Sequence, residues 1–379
     1  MGFVPRLILA YGGVFATMGV QLPFLPLWLD AKGLDDRLIG AVLAVAGLAR
    51  LIAIPVTATA ADRLGDLRRT ILVAGAGVAV SYTLLAQADG LVAIFVLLPL
   101  AAAFSSGLVP VVEAYALLGL GRLRQPYGPV RTWASGFFIV GNLGAGALAG
   151  ILAPRNLIWV IVAICWVAFV TLLTLRALRD PPRHSASRGK FKTILLTPGV
   201  LTTLTAAALI QASHAVFYGF STIQWSQAGL PGISIGLLWS LGVVAEIVLF
   251  ALSPRLPAWL GGPALLAIGA AGATVRWTAM AFDPPTAALP ILQCLHALSF
   301  GATHLASVQM LARVAPPDAG ASAQGLLALA SGLAMAVCMA AAGVLYAAVG
   351  ALAYAPMAGL AVAGGAFAIL VLRGSKQAA

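Results

Sequence analysis

The sequence predicts an all-α polytopic membrane protein with twelve transmembrane helices in two repeated six-helix bundles. Three observations carry that prediction. The first is composition: of 379 residues, 61% are hydrophobic and only 9% charged, against roughly 25% charged in an ordinary soluble chain. There are too few polar side chains to cover a water-facing surface. The second is the length of the apolar runs. Most reach the roughly 20 residues a helix needs to cross a bilayer, and they are too continuous for the alternating strands of an outer-membrane barrel. The third is an internal repeat. Shifted by 196 residues, Gly33-Leu34 falls on Gly229-Leu230, Ile39-Gly40 on Ile235-Gly236, Ala49 on Ala245 and Gly65 on Gly261.

Punctuation by Gly, Pro and charge places the twelve spans at 6–29, 38–61, 70–88, 91–118, 129–152, 156–176, 198–225, 233–253, 262–282, 286–311, 321–346 and 351–372. The first apolar run, Leu7 to Leu29, is too long for a signal-peptide core and is expected to remain as a span. The expected organisation is an N-terminal bundle over 1–176, a basic linker over 177–197 and a C-terminal bundle over 198–379. Gly136, Gly141, Gly144, Gly146 and Gly150 mark span five for close helix packing, and Pro23, Pro26, Pro55, Pro99 and Pro110 are candidate kinks.

The net charge of +11 reads as topology, not as nucleic-acid binding. With the N-terminus inside, the inner segments hold sixteen Lys and Arg residues; the outer loops hold three, Lys32, Arg37 and Arg155. That bias predicts a multi-pass protein of the bacterial inner membrane with both termini cytoplasmic. Cys165, Cys294 and Cys338 fall inside spans, without metal-ligand spacing or a disulfide framework. No P-loop, nucleophile elbow or zinc motif is present. No metal and no cofactor is expected; a proton gradient would supply the energy.

The chain has two glutamates, Glu113 and Glu246, and both lie inside spans. A charge at that depth costs at least about 2.5–3.5 kcal/mol by insertion scales, so it needs a partner or a task. Glu113 and Arg131 are equidistant from Arg122 in the turn between spans four and five, and Glu246 and Arg276 are equidistant from Gly261. Equal spacing from a hairpin turn predicts equal depth, and hence two ion pairs. Arg50 is the repeat counterpart of Glu246, so one position carries a cation in one half and an anion in the other. His214, His296 and His304 also lie inside spans, where a group titrating near neutral pH can relay a proton. His214 shares a helical stripe with Gln211, Tyr218, Ser221 and Trp225, and His296 shares one with Phe300, Thr303 and His304. Arg50, Arg131 and Arg276 outnumber the glutamates by one, which suits an anionic substrate held by a guanidinium fork. Trp133, Tyr218 and Trp239 are candidates to flank a ring.

The segment Ala61-Asp62-Arg63-Leu64-Gly65-Asp66-Leu67-Arg68-Arg69 resembles the signature loop between helices two and three of the major facilitator superfamily. The Asp-Arg-x-Gly core is kept, while Ala58 replaces the leading Gly and Asp66 stands where a basic residue is usual. Asp62, Arg63, Gly65 and Arg68 are the residues of that conformational loop. Within the superfamily the chain is similar to the phenylpropionate permeases, relatives of lactose permease and the nucleoside–proton symporters. The resemblance rests on Tyr127 to Ser135, Gln211 to Ser221, Leu238 to Glu246, Arg276-Trp277, Gln293 to His296 and His304 to Ala306.

That resemblance implies the major facilitator fold and a role for Glu113, Arg131, Glu246, Arg276 and His296, which match the lactose-permease order of charged and histidine positions on helices four, five, eight, nine and ten. One turn after His296, where that family has a proton-handling carboxylate, stands Ser299. The proton role therefore moves to Glu246 and Arg276 with His296 and His304. Substrate contacts are assigned to Arg50, Glu113, Arg131, Trp133, His214, Tyr218 and Trp239.

The function expected is proton-coupled symport of a small organic substrate, an aromatic carboxylate such as a phenylpropionate-like acid, by alternating access. Alternatives are a nucleoside or sugar symporter, a drug efflux antiporter and, more remotely, a membrane-embedded enzyme; the chain is not expected to be an enzyme. Expected partners are the substrate, protons and the bilayer, with no nucleic acid and a monomeric protein.

Overall fold

A computed structural model describes residues 1–178, 191–197, 199–257, 259–314 and 320–377; of the expected linker, 179–190 lie outside the described residues. Those described are helical, with no strand among them. The first half forms α1 (Phe3–Ala31), α2 (Asp36–Leu64), α3 (Leu67–Gln87), α4 (Leu91–Arg122), α5 (Tyr127–Ala149) and α6 (Leu157–Leu173). The second half forms α7 (Phe191–Leu196), α8 (Val200–Ala212), α9 (Ala215–Gln227), α10 (Gly232–Leu252), α11 (Gly262–Ala281), α12 (Leu289–Cys294), α13 (Thr303–Val314), α14 (Gly320–Val349) and α15 (Tyr354–Gln377).

Eleven stretches among the described residues are long and apolar enough to cross a membrane, and the last runs for 50 residues, Ser322–Val371. At about 1.5 Å per residue that is more than twice the hydrocarbon thickness of a bilayer. It is broken at Gly350, which takes φ +57 and opens a short 3-10 turn between α14 and α15. Counting these as two gives the twelve spans of the sequence pattern.

The repeat is visible in the backbone. Helices α2 and α10 begin at 36 and 232, a separation of 196, each preceded by a left-handed glycine: Gly33 at φ +86 and Gly229 at φ +83. Arg50 and Glu246 are each the fifteenth residue of their helix.

The signature loop has a mechanical reading. Gly65 closes α2 in the left-handed conformation at φ +60, where a Cβ would be strained. Asp66 departs from the usual pattern because it caps α3, its carboxylate accepting from the Arg69 main-chain N–H at 3.1 Å. Arg68 donates to the Leu175 carbonyl at 2.6 Å and the Leu173 carbonyl at 3.4 Å, covering the open end of α6. Arg63 is exposed, and the side chain of Asp62 lies outside the described residues.

Contacts divide the chain into two compact units: Met1–His184 with Thr222–Ser240, and Ser185–Ser221 with Leu241–Ala379. The core of the first packs α1, α4 and α5 around Leu7, Tyr11, Val112, Tyr115, Leu120 and Ala134. Helices α1 and α5 touch backbone to backbone, because a Cβ on Gly19 would strike the Phe138 carbonyl and one on Gly141 the Ala16 carbonyl. Pro23 and Pro26 are carried inside α1, Pro55 inside α2, and Pro99 and Pro110 inside α4.

In the second unit two expected spans are not continuous helices. The seventh breaks between α8 and α9 at Ser213-His214. Ser213 donates to the Ile210 carbonyl at 2.6 Å, and His214 Nδ1 lies 3.2 Å from the same carbonyl. Side chains that take up carbonyls of the preceding turn loosen a helix. The tenth passes from α12 through a π-helical turn, Ala297–Ala302, into α13. Turns of this kind are concentrated at functional sites.

Candidate functional site

Among the described residues, each unit holds a charged cluster inside its membrane spans. In the first, Arg131 Nε donates to Glu113 Oε1 at 2.8 Å, as the hairpin spacing predicts. Tyr11 donates to Glu113 Oε2 at 2.7 Å, and Tyr127 donates to the same oxygen. Tyr11 comes from the buried face of α1, Glu113 from α4, and Tyr127 and Arg131 from successive turns of α5. Phe15 lies beneath the guanidinium, ring centroid 4.5 Å from its carbon, a cation–π contact that fixes the plane of the fork. The Arg131 side chain keeps 34% of its surface open. Its two terminal nitrogens have no hydrogen-bond partner among the described residues.

Arg50 sits midway along α2, exposed, and its side chain too has no hydrogen-bond or ion-pair partner among the described residues; its main-chain carbonyl is engaged by Ser106 Oγ at 3.5 Å. Trp133 is not brought to Arg131. Two residues along a helix is a rotation of about 200°, and the Trp133 ring packs on Phe137 at 6.2 Å. Trp239 is buried at 5% exposure and donates to Thr222 Oγ1 at 3.2 Å.

In the second unit Arg276 is wholly buried, at 0% exposure. Nη2 donates to Gln293 Oε1 at 2.6 Å; Nη1 reaches His296 Nδ1 at 3.1 Å and Ser299 Oγ at 3.3 Å. The rings of Phe217 and Trp277 flank the guanidinium at 4.5 and 4.6 Å. Hydrogen-bond polarity fixes the rest. Arginine only donates, so His296 Nδ1 accepts and its proton sits on Nε2. That nitrogen lies 3.7 Å from Glu246 Oε2. His214 Nδ1 faces two carbonyls, Ile210 at 3.2 Å and Gln211 at 3.1 Å, and must be the donor there. His214 Nε2 therefore accepts from Ser299 Oγ at 3.1 Å. Both imidazoles are neutral, in opposite tautomers.

The direct Glu246–Arg276 pair expected from equal spacing is replaced by a line Glu246–His296–Arg276. The reason is the connection after α10: a 3-10 turn, Ser253–Arg255, and a loop put six residues between Glu246 and its helix end but fourteen between Arg276 and the start of α11. Glycines bring the line together. Gly242 packs on His296 Cβ, and Gly301, in the π-helical turn, packs on Glu246 Cγ, with a Cβ at either falling 3.3 Å away.

His214 is fully buried, stacked on Tyr218 at 5.6 Å and edge-on to Trp277 at 4.9 Å. It supports Ser299 and has no open face for a ligand. His296, Phe300 and His304 form a stack with spacings of 5.1 and 6.0 Å, and His304 ends it, exposed and outside the hydrogen-bonded line.

The residues that sequence reasoning missed are Tyr11, Phe15, Tyr127, Gln293 and Ser299 in its positive role. Tyr127 lies four residues before Arg131, and Gln293 and Ser299 lie three either side of His296, so helical spacing carried a signal for these. Tyr11, 102 residues from Glu113, carried none.

The chain matches the model of the MFS_1 like family over residues 6–354. It is 31% identical over 312 residues to a probable 3-phenylpropionic acid transporter of Escherichia coli (strain K12), covering 81% of each chain. It is 26% identical over 332 residues to a maltose permease of Geobacillus stearothermophilus, covering 84% of this chain and 81% of that one. Among solved structures it superposes on the nucleoside transporter NupG with a TM-score of 0.84 at 15% identity, covering 98% of this chain and 99% of that one. It also superposes on the POT family transporter PepTSo with a TM-score of 0.77 at 12% identity, over 99% and 98% of the two chains. The helical fold, the backbone repeat, the signature loop and the family match agree: this chain is a membrane transporter, not an enzyme, and belongs to the MFS_1-like family of the major facilitator superfamily.

Proposed function

We propose that the protein is a proton-coupled symporter of the bacterial inner membrane, with both termini cytoplasmic, that moves a small aromatic carboxylate by alternating access between its two halves. The observation that carries the substrate class is the state of Arg131. Its Nε is committed to Glu113, and its two terminal nitrogens, a fork matched to carboxylate geometry, have no partner among the described residues. Arg50 adds a second exposed cation in the middle of an apolar helix, where a charge is costly unless it serves transport. The name of the Escherichia coli relative agrees with that class.

Proton coupling belongs to Glu246 and His296. Arg276 occupies His296 Nδ1, so a proton arriving at this pair resides on Glu246 unless Arg276 lets go. Neutralising Glu246 then removes the carboxylate charge from a line that ends on a buried guanidinium, and biases one conformation over another. The energy source is the proton gradient, with no cofactor, and the working unit is a monomer.

Purified protein in liposomes tests this. Counterflow of labelled 3-phenylpropionate, with and without an inward proton gradient, should show gradient-driven uptake in the wild type. Glu246→Gln should abolish the response to the gradient and spare exchange. Uptake that still follows the gradient in that variant overturns the coupling assignment. A second reading, sugar transport, is favoured by the similarity to a maltose permease; competition by maltose but not by 3-phenylpropionate would select it.

A further inference from the structure

We propose that Tyr11 and Tyr127 are specificity-determining residues, which occupy one oxygen of Glu113 so that the Glu113–Arg131 pair presents a cationic fork and not a free carboxylate. The proposal rests on the substrate class argued above.

An ionised carboxylate has about four lone-pair sites. Glu113 spends three within its own unit: Oε2 accepts from both phenols and Oε1 from Arg131 Nε. A Glu–Arg pair can serve two kinds of ligand. Hydroxyls of a sugar or alcohol donate to the carboxylate, whereas a ligand carboxylate needs the guanidinium and is repelled by exposed carboxylate oxygens. Loading Oε2 with two hydroxyl donors removes most of what a hydroxyl ligand would use and lowers the repulsion felt by an anion.

The supply of those donors is built in. Tyr11 is fully buried, its ring 6.0 Å from that of Phe15, the platform under Arg131. Tyr127 opens α5 one turn before Arg131, so its hydroxyl and the guanidinium meet the same carboxylate from one helix. Neither tyrosine is needed to pair the charges, since Arg131 alone does that. Their hydroxyls act on Glu113, and through it on what Arg131 can accept.

Tyr11→Phe, Tyr127→Phe and the double variant, in the full-length protein reconstituted in liposomes, test this. Two competitors of the same shape are used, 3-phenylpropionate and the neutral 3-phenylpropanol. Freeing Oε2 should weaken the acid about tenfold, the scale of one hydrogen bond to a charged group, while the alcohol improves, with each single variant in between. A structural defect would weaken both ligands together. Equal loss of both, or an unchanged ratio, overturns the proposal while Arg131-dependent binding of the acid in the wild type keeps the substrate class standing. Wild-type binding of 3-phenylpropionate that is indifferent to Arg131→Gln overturns both.

Discussion

The two charged clusters use the same residue types to opposite ends. Around Arg131 the anion is satisfied and the cation is open: Glu113 has three donors, and the terminal guanidinium nitrogens have none of their capacity spent among the described residues. Around Arg276 both terminal nitrogens are engaged, by neutral acceptors from Gln293, His296 and Ser299, and the guanidinium is fully buried, with Nε alone lacking a hydrogen-bond partner among the described residues. Pairing an arginine with a carboxylate leaves a fork free for an anionic ligand. Surrounding it with neutral side chains leaves neither terminal nitrogen free, and fixes the tautomer of His296. The first arrangement suits binding, and the second suits holding a proton pathway in one polarity.

The largest expected effect breaks the comparison if it fails. Arg276→Gln should leave three buried acceptors short of a donor and lower stability by about 3 kcal/mol, read as a drop in the thermal midpoint of the detergent-solubilised protein. Arg131→Gln should cost about 1 kcal/mol or less in the same melt, because Glu113 keeps both tyrosines, yet abolish binding of 3-phenylpropionate. Similar melts for the two variants would mean that the clusters do not differ in this way.

Next in size is the test of the fork. Arg131→Lys keeps the charge and loses the planar bidentate geometry. KM for 3-phenylpropionate uptake should rise about tenfold or more, with little change in melting. An unaltered KM would mean that the cation is felt only as a point charge.

The second cluster can be loosened without touching a charge. In Gly301→Ala the added methyl would stand 3.1 Å from Leu249 Cδ2 and 3.3 Å from Glu246 Cγ. Helix α10 must shift by a few tenths of an ångström, at a cost of about 1–2 kcal/mol, and Glu246 moves away from His296. Gradient-driven uptake should fall more than exchange, measured side by side. Equal falls would separate Glu246 from coupling.

Much of this contrast was legible in the chain. The spans, the repeat offset and the Glu113–Arg131 pair followed from apolar length and hairpin spacing, which are local properties. Helix continuity did not follow: apolar length gives no sign that Ser213 and His214 will take the carbonyls of the turn before them, or that Ala297–Ala302 will widen to a π-turn. Register across a loop was equally hidden, since α10 ends at Leu252 and the 3-10 turn Ser253–Arg255 with the loop to Gly262 places the bend nearer Glu246 than Arg276. Polar partners from distant helices were the least legible. Tyr11 reads as one more aromatic in an apolar run until the fold sets it against Glu113.

The smallest expected effect sharpens the boundary of the second cluster. His304 shares the stripe of His296 in sequence and stacks on Phe300 at 6.0 Å, yet it contributes no hydrogen bond to the line from Glu246 to Arg276. A phenyl ring in its place keeps the stack and removes the titrating group. His304→Phe should therefore change gradient-driven uptake of 3-phenylpropionate by no more than about twofold, well under the loss of a hydrogen bond to a charged group. His296→Phe, by contrast, leaves Arg276 Nη1 without its nitrogen acceptor and takes away the Nε2–H that faces Glu246, and should abolish coupling. If His304→Phe proved as damaging as His296→Phe, the proton would have to reach the exposed end of the stack, and the line drawn by hydrogen-bond polarity would stop one ring too early.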